Sequence, residues 1–154
     1  MNVLLDLLQN EVLMCAVAAW MLAQIMKTLI HLRFTRKFVA ERLIGSGGMP
    51  SSHSASVCAL ATAAFFDYGL GSFEFAISLI LALVVMYDAM GVRREAGIQA
   101  RVLNEMMDVF GRTASMTSEE KLKEFVGHTP LQVIVGGLLG VILSIILCIF
   151  VYHL

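Results

Sequence analysis

Charge is scarce in this chain. Of its 154 residues, 15% are charged and 58% are hydrophobic, where a soluble domain has roughly 25% and 45–50%. Mean hydropathy is +0.81. This excludes an ordinary water-soluble globule and indicates one integral membrane domain over residues 1–154. The net charge of −1 offers nothing to a polyanion, and no nucleic-acid partner is expected. Cysteine is sparse too. Cys15, Cys58 and Cys148 are odd in number, lie inside apolar runs and match no metal-ligand spacing. They read as small core residues, without disulfides, metal or cofactor. The first ten residues hold Asp6 but neither Lys nor Arg, so a cleaved signal peptide is not expected. Internal repeats and low-complexity runs are missing as well.

Four apolar segments are present, at about 12–30, 54–70, 73–90 and 131–154. The first and last are comfortably long enough for ~30 Å of hydrocarbon; the middle two are near the lower limit. A turn at 67–72, Asp-Tyr-Gly-Leu-Gly-Ser, joins those two as an antiparallel hairpin. After the third segment, Val92, Ala96, Gln99, Val102, Leu103, Met106 and Phe110 recur at three-to-four spacing, which predicts an amphipathic helix. Thr117 and Glu120 then form the frame of a capping box for a short helix ending at Gly127. The expected fold is therefore an all-α membrane bundle of about four transmembrane helices plus a cytoplasmic amphipathic helix.

Basic residues follow loop parity. Arg33, Arg36, Lys37 and Arg42 follow the first segment. Arg93, Arg94, Arg101, Arg112, Lys121 and Lys123 follow the third. The N-terminus, the hairpin turn and the C-terminus have none. The positive-inside rule then predicts both termini outside and both basic loops in the cytoplasm, with the protein in the cell's inner membrane.

Each basic stretch ends in a small-residue loop that opens an apolar helix and holds a histidine. The first is Gly47-Gly48-Met49-Pro50-Ser51-Ser52-His53-Ser54; the second is Gly127-His128-Thr129-Pro130. Gly47 and Gly48 allow the backbone to approach a ligand closely. Ser51, Ser52 or Ser54 can cap the helix, and free amides at a helix start attract an anion. Asp88 closes the third segment, where an unpartnered carboxylate is costly. Arg93 and Arg94 follow it, and guanidinium forks suit phosphate oxygens. Gln24, Lys27 and His31 share one face of the first segment, with Lys27 either snorkelling or projecting inward as a phosphate ligand. Two imidazoles, several cations, glycine amides and hydroxyls suit phosphoryl transfer through a histidine nucleophile.

Pro50-Ser51-Ser52-His53 resembles the Pro-Ser-Gly-His motif of the type 2 phosphatidic acid phosphatases, relatives of the vanadium-dependent haloperoxidases. The run from His128 to Gly140 is similar to their last motif. The strings 47–55, 86–94 and 127–130 resemble the small divergent branch of that family more closely. The resemblance implies His128 as nucleophile and His53 as general acid and base, no metal, and a lipid phosphate as substrate. Several motif positions differ. Lys27 is followed by Arg33 one place early and without proline, the Ser-Arg places before the nucleophile hold Leu122 and Lys121, and the orienting Asp is replaced by Gln132. Arg93 and Arg94 are candidate replacements for the missing arginines, and Asp88 or Glu124 for the missing carboxylate. Family members usually have six spans, and a homodimer would supply walls that four spans lack.

The expected function is a phosphatase for a phosphomonoester lipid of the inner leaflet, of phosphatidylglycerophosphate or phosphatidic acid type. The alternatives are an undecaprenyl pyrophosphate phosphatase, a catalytically impaired binder of anionic lipid or scaffold, a metal-dependent phosphatase built on Asp88 and Glu95, and, ranked last, a small transporter.

Overall fold

In a computed structural model, residues 2–36, 48–110 and 129–152 are described. Gly47, His128, Glu124, Lys121, Leu122 and the helix expected between Thr117 and Gly127 lie outside them.

The described chain is helical throughout. A short α1 (Val3–Leu8), not expected from the sequence, precedes α2 (Glu11–Thr35). Then come α3 (Ser52–Tyr68), α4 (Phe73–Met90), α5 (Val92–Phe110) and α6 (Pro130–Leu147), which runs on into a π-helical turn, Cys148–Tyr152. Local chemistry sets the boundaries. Asn10 accepts the Leu13 N–H at 2.9 Å to cap α2, and Ser72 accepts the Phe75 N–H at 3.1 Å to cap α4. Gly69, at φ 80°, takes the left-handed backbone needed by the α3–α4 turn.

Among the described residues, three helical runs are long and apolar enough to cross a bilayer: Glu11–Thr35, Phe73–Asp108 and Pro130–Tyr152. The fourth long apolar helix, α3, has 17 residues, about 25 Å at 1.5 Å per residue. It is the centre of the bundle and packs on α2, α4 and α6.

The packing is inverted relative to a soluble protein. The buried hydrophobic residues are mostly Ala, with Cys15, Cys148 and Val133. Ile77, Ile80, Leu83 and Val84 of α4, and Ile134, Leu138 and Ile142 of α6, face outward. Lipid is as apolar as leucine, so large side chains gain little by turning inward. Small ones let backbones approach and gain dispersion contacts.

That approach has a definite register. Ala19 and Ala23 of α2 cluster with Ala55 and Ala59 of α3, and Cys15 clusters with Ala63 and Cys148. Hence α2 and α3 are antiparallel, pairing 15 with 63, 19 with 59 and 23 with 55. Helix α6 runs parallel to α3. The Ser144 hydroxyl donates to the Ala59 carbonyl at 3.1 Å. A Cβ at Gly140 would collide with the Ala55 carbonyl, and one at Gly136 with the Ser51 carbonyl. Layers one helical turn apart result: Cys15, Ala63 and Cys148; then Ala19, Ala59 and Ser144; then Ala23, Ala55 and Gly140. Helix α4 is antiparallel to α3, with Phe65 and Phe75 ring centroids 6.0 Å apart and Cys58 3.4 Å from the Met86 sulfur.

The amphipathic helix is present as α5, and its apolar face is not buried against the protein. Gly97, Ala100 and Asn104 face the protein; Val92, Val102, Leu103 and Met106 are exposed.

Candidate functional site

The next layer of the same ladder is polar. Continuing the register by one turn sets Lys27 of α2 opposite Ser51 at the head of α3 and Gly136 of α6. Lys27 is 3% exposed, Gln24 is 4% exposed, and Thr28 is buried beside them. The Thr28 hydroxyl donates to the Gln24 carbonyl at 2.9 Å, while Gln24 Oε1 is buried without a hydrogen-bond partner among the described residues. Lys27 therefore does not snorkel to the surface: its aliphatic stem and ammonium are both enclosed.

Ser51 caps α3 by accepting the Ser54 N–H at 3.4 Å and the Ser54 hydroxyl at 3.0 Å. Ser51, Ser52 and Ser54 are all buried. Gly48, at φ 83°, turns the chain into this cap through the left-handed region. His53 follows within the first turn of α3 and is half-buried.

Two contacts bind this loop to the start of α6. The Ser51 N–H donates to the Gln132 carbonyl at 3.1 Å, and the Ser51 backbone occupies the space that a side chain at Gly136 would fill. Thr129, the residue after His128, caps α6. Its hydroxyl accepts the Gln132 N–H at 3.4 Å, while Gln132 Oε1 accepts the Thr129 N–H at 3.1 Å. Because α3 and α6 are parallel, both histidine-bearing loops lead into helices that begin at the same end of the bundle.

The remaining expected residues divide. Asp88, in the last turn of α4, is half-buried, and the α3–α4 register sets it level with the first turn of α3. Arg93 and Arg94 open α5. Arg94 lies at the surface, 53% exposed and 3.8 Å from Glu95, a contact worth little in water. Gly47 and His128 are outside the described residues. Gln24 shared a predicted face with Lys27, and Ser54 was a candidate cap, but the sequence did not single out Thr28 as a buried polar group. Its four-residue offset from Gln24, on the same helix face, was the available signal. Below the polar end, an open groove of about 270 Å³ runs between α3, α4 and α6, lined by Cys58, Phe65, Phe75, Leu79 and Met86.

Both signs of charge occur at this end, Lys27 on α2 and Asp88 on α4. A buried ammonium lies at the level where two parallel helices present their positive ends. The buried Ser51, Ser52 and Ser54 lie at the same end of the bundle. Such a place favours an anion with several oxygens.

The fold and this polar end define a class: a small helical membrane protein with polar side chains buried at one end of its bundle. The chain belongs to the divergent PAP2 family, whose sequence profile matches residues 8–143. It is 41% identical over 156 residues to the uncharacterized membrane protein YuiD of Bacillus subtilis (strain 168), an alignment covering 95% of this chain and 99% of that protein. No solved structure matches it.

Proposed function

We propose that the protein is a phosphatase for lipid phosphomonoesters, acting at the cytoplasmic leaflet of the cell membrane. The observation carrying this reading is the buried Lys27 at the level where α3 and α6 both begin. A ring nitrogen of His128 bonds to phosphorus as the ester P–O bond breaks, and His53 gives its proton to the departing alkoxide. Water then attacks the phosphohistidine. His53 takes a proton from it, and inorganic phosphate leaves with His128 restored. Lys27, Ser51, Ser52 and the amides of Gly47 and Gly48 hold the non-bridging oxygens. Arg93 and Arg94 widen the basic rim, and Asp88 orients the imidazole. The groove beside Cys58 and Met86 takes an acyl chain. A second copy of the chain supplies the outer wall.

The test is phosphate release in detergent from phosphatidic acid, phosphatidylglycerophosphate and undecaprenyl pyrophosphate, with and without chelator. Turnover of the first two, lost in His128→Ala and His53→Ala, supports the proposal. Preference for the pyrophosphate moves the substrate to the alternative class, and loss with chelator moves the chemistry to a metal.

One observation favours a second reading, a binder without turnover. Gln132, at the place of the family's orienting carboxylate, is engaged in capping α6. In that case orthovanadate binds while no lipid phosphate is hydrolysed.

A further inference from the structure

Helix α5 buries a face that a helix bathed in water would not choose. Around its circumference, at ~100° per residue, lie three sectors. The first is the stripe of Gly97, Ala100 and Asn104, spaced three and four apart and buried. The second holds Asp108, Arg101, Arg94 and Glu105, all exposed. The third is mainly apolar, with Ile98, Val102, Met106 and Leu103 between 42% and 49% exposed, and includes the exposed Glu95 and Gln99 toward its N-terminal end. A helix of a soluble protein turns its apolar sector to the core; here the bundle takes the small-residue stripe instead.

The apolar sector continues an existing surface. A single residue, Gly91, separates α4 from α5, and the last turns of α4 expose Ile80, Leu83, Val84 and Tyr87. In a membrane bundle that belt meets lipid. Helix α5 does not extend the span itself. Phe73–Asp108 is 36 residues long, about 54 Å against ~30 Å of hydrocarbon. Its second half also carries Arg93, Arg94, Glu95, Arg101, Glu105 and Asp108.

We propose that α5 lies along the membrane surface at the polar end of the bundle. Ile98, Val102, Leu103 and Met106 sink to the boundary between headgroups and acyl chains. Arg94, Arg101, Glu105 and Asp108 face water, and Gly97, Ala100 and Asn104 dock on the protein. The partner of the apolar sector is the bilayer itself, as expected of an interfacial helix. The helix is thus part of the membrane-bound surface rather than a free cytoplasmic element. This inference needs only the membrane class, so it stands or falls apart from any phosphatase activity.

The chain contains one tryptophan, Trp20, which allows a direct test. In the Trp20→Phe background, Leu103→Trp, Met106→Trp and Arg101→Trp are made singly in the full chain. Each is reconstituted into phosphatidylcholine–phosphatidylglycerol vesicles, with or without lipids brominated in the upper acyl chain. The expected result is blue-shifted emission from positions 103 and 106, strongly lost in brominated vesicles and little affected by aqueous iodide. Position 101 should show the opposite. Iodide quenching at 103 and 106 equal to that at 101 would overturn the proposal by placing the sector in water. Protection from both quenchers, with cross-linking between copies at 103, would overturn it in favour of a self-interface. Should Leu103→Trp fail to reconstitute, Ile98→Trp probes the same sector.

Discussion

The two ends of the α2–α3–α6 seam share one backbone geometry and differ in chemistry. At one end Cys15, Ala63 and Cys148 close a dry layer. At the other, Lys27, Ser51 and Gly136 occupy the equivalent places, with Gln24 and Thr28 beside them. The helices approach as closely at the polar end as below it, since backbone meets backbone at both Gly136 and Gly140. What changes is the demand on the environment. The far layer is closed by small apolar side chains, with the Ser144 hydroxyl 4.0 Å from the Cys148 sulfur, whereas the near layer encloses an ammonium and serine hydroxyls, groups that are costly to bury unless they are compensated. Small-residue packing supplies the frame at both ends, and only one of them encloses a lysine.

The largest expected effect would remove the chemistry and leave the frame. His53→Ala should lower phosphate release by about 10²–10⁴-fold, the usual worth of a general acid and base, with the unfolding temperature in detergent unchanged. A rate near wild type would separate the polar end from catalysis.

Breaking the frame comes next. Gly140→Val drives a branched side chain into the Ala55 carbonyl, and should cost roughly 1–3 kcal/mol or more from overpacking, read as lowered thermal stability. Gly71→Ala, in open space in the α3–α4 turn, serves as its control. Equal stability of the two variants would mean that α3 and α6 are not so close.

Lys27→Met retains the stem and removes the charge. Orthovanadate affinity should fall about thirtyfold or more, since loss of a buried charge partner costs an anion about 2–5 kcal/mol. Unchanged vanadate affinity would remove Lys27 from the anion site. At the dry end, Ser144→Ala gives up the hydrogen bond to the Ala59 carbonyl. It should cost about 0.5–1 kcal/mol of stability, with phosphate release intact. Smallest of all, Arg94→Ala should change stability by less than about 0.5 kcal/mol, because its contact with Glu95 is exposed.

Much of the architecture could be read from the chain. The hairpin at 67–72 and the helix at 73–90 agree with α3, its Gly69 turn and α4 (Phe73–Met90), because caps and turn residues leave local signals. The first apolar segment extends further than read, from Glu11 to Thr35, since Lys27, Thr28 and Arg33 are polar yet helical. Lys27 was legible as a candidate, but its enclosure was not. The helical periodicity of α5 was legible as well, while its orientation was not. Periodicity shows that a helix has an apolar side and says nothing of whether protein or lipid covers it.

Composition, hydropathy and the distribution of charge were enough to establish a helical membrane protein with glycine- and serine-rich loops opening two of its helices. These are local properties, set by each segment's own side chains and by the solvent it requires. Tertiary structure alone decided that α3 and α6 run parallel, that Ser51 bonds to Gln132, and that Lys27 is buried at their level. Those facts depend on which backbones can touch, and contact between segments distant along the chain is a property of the packed bundle as a whole.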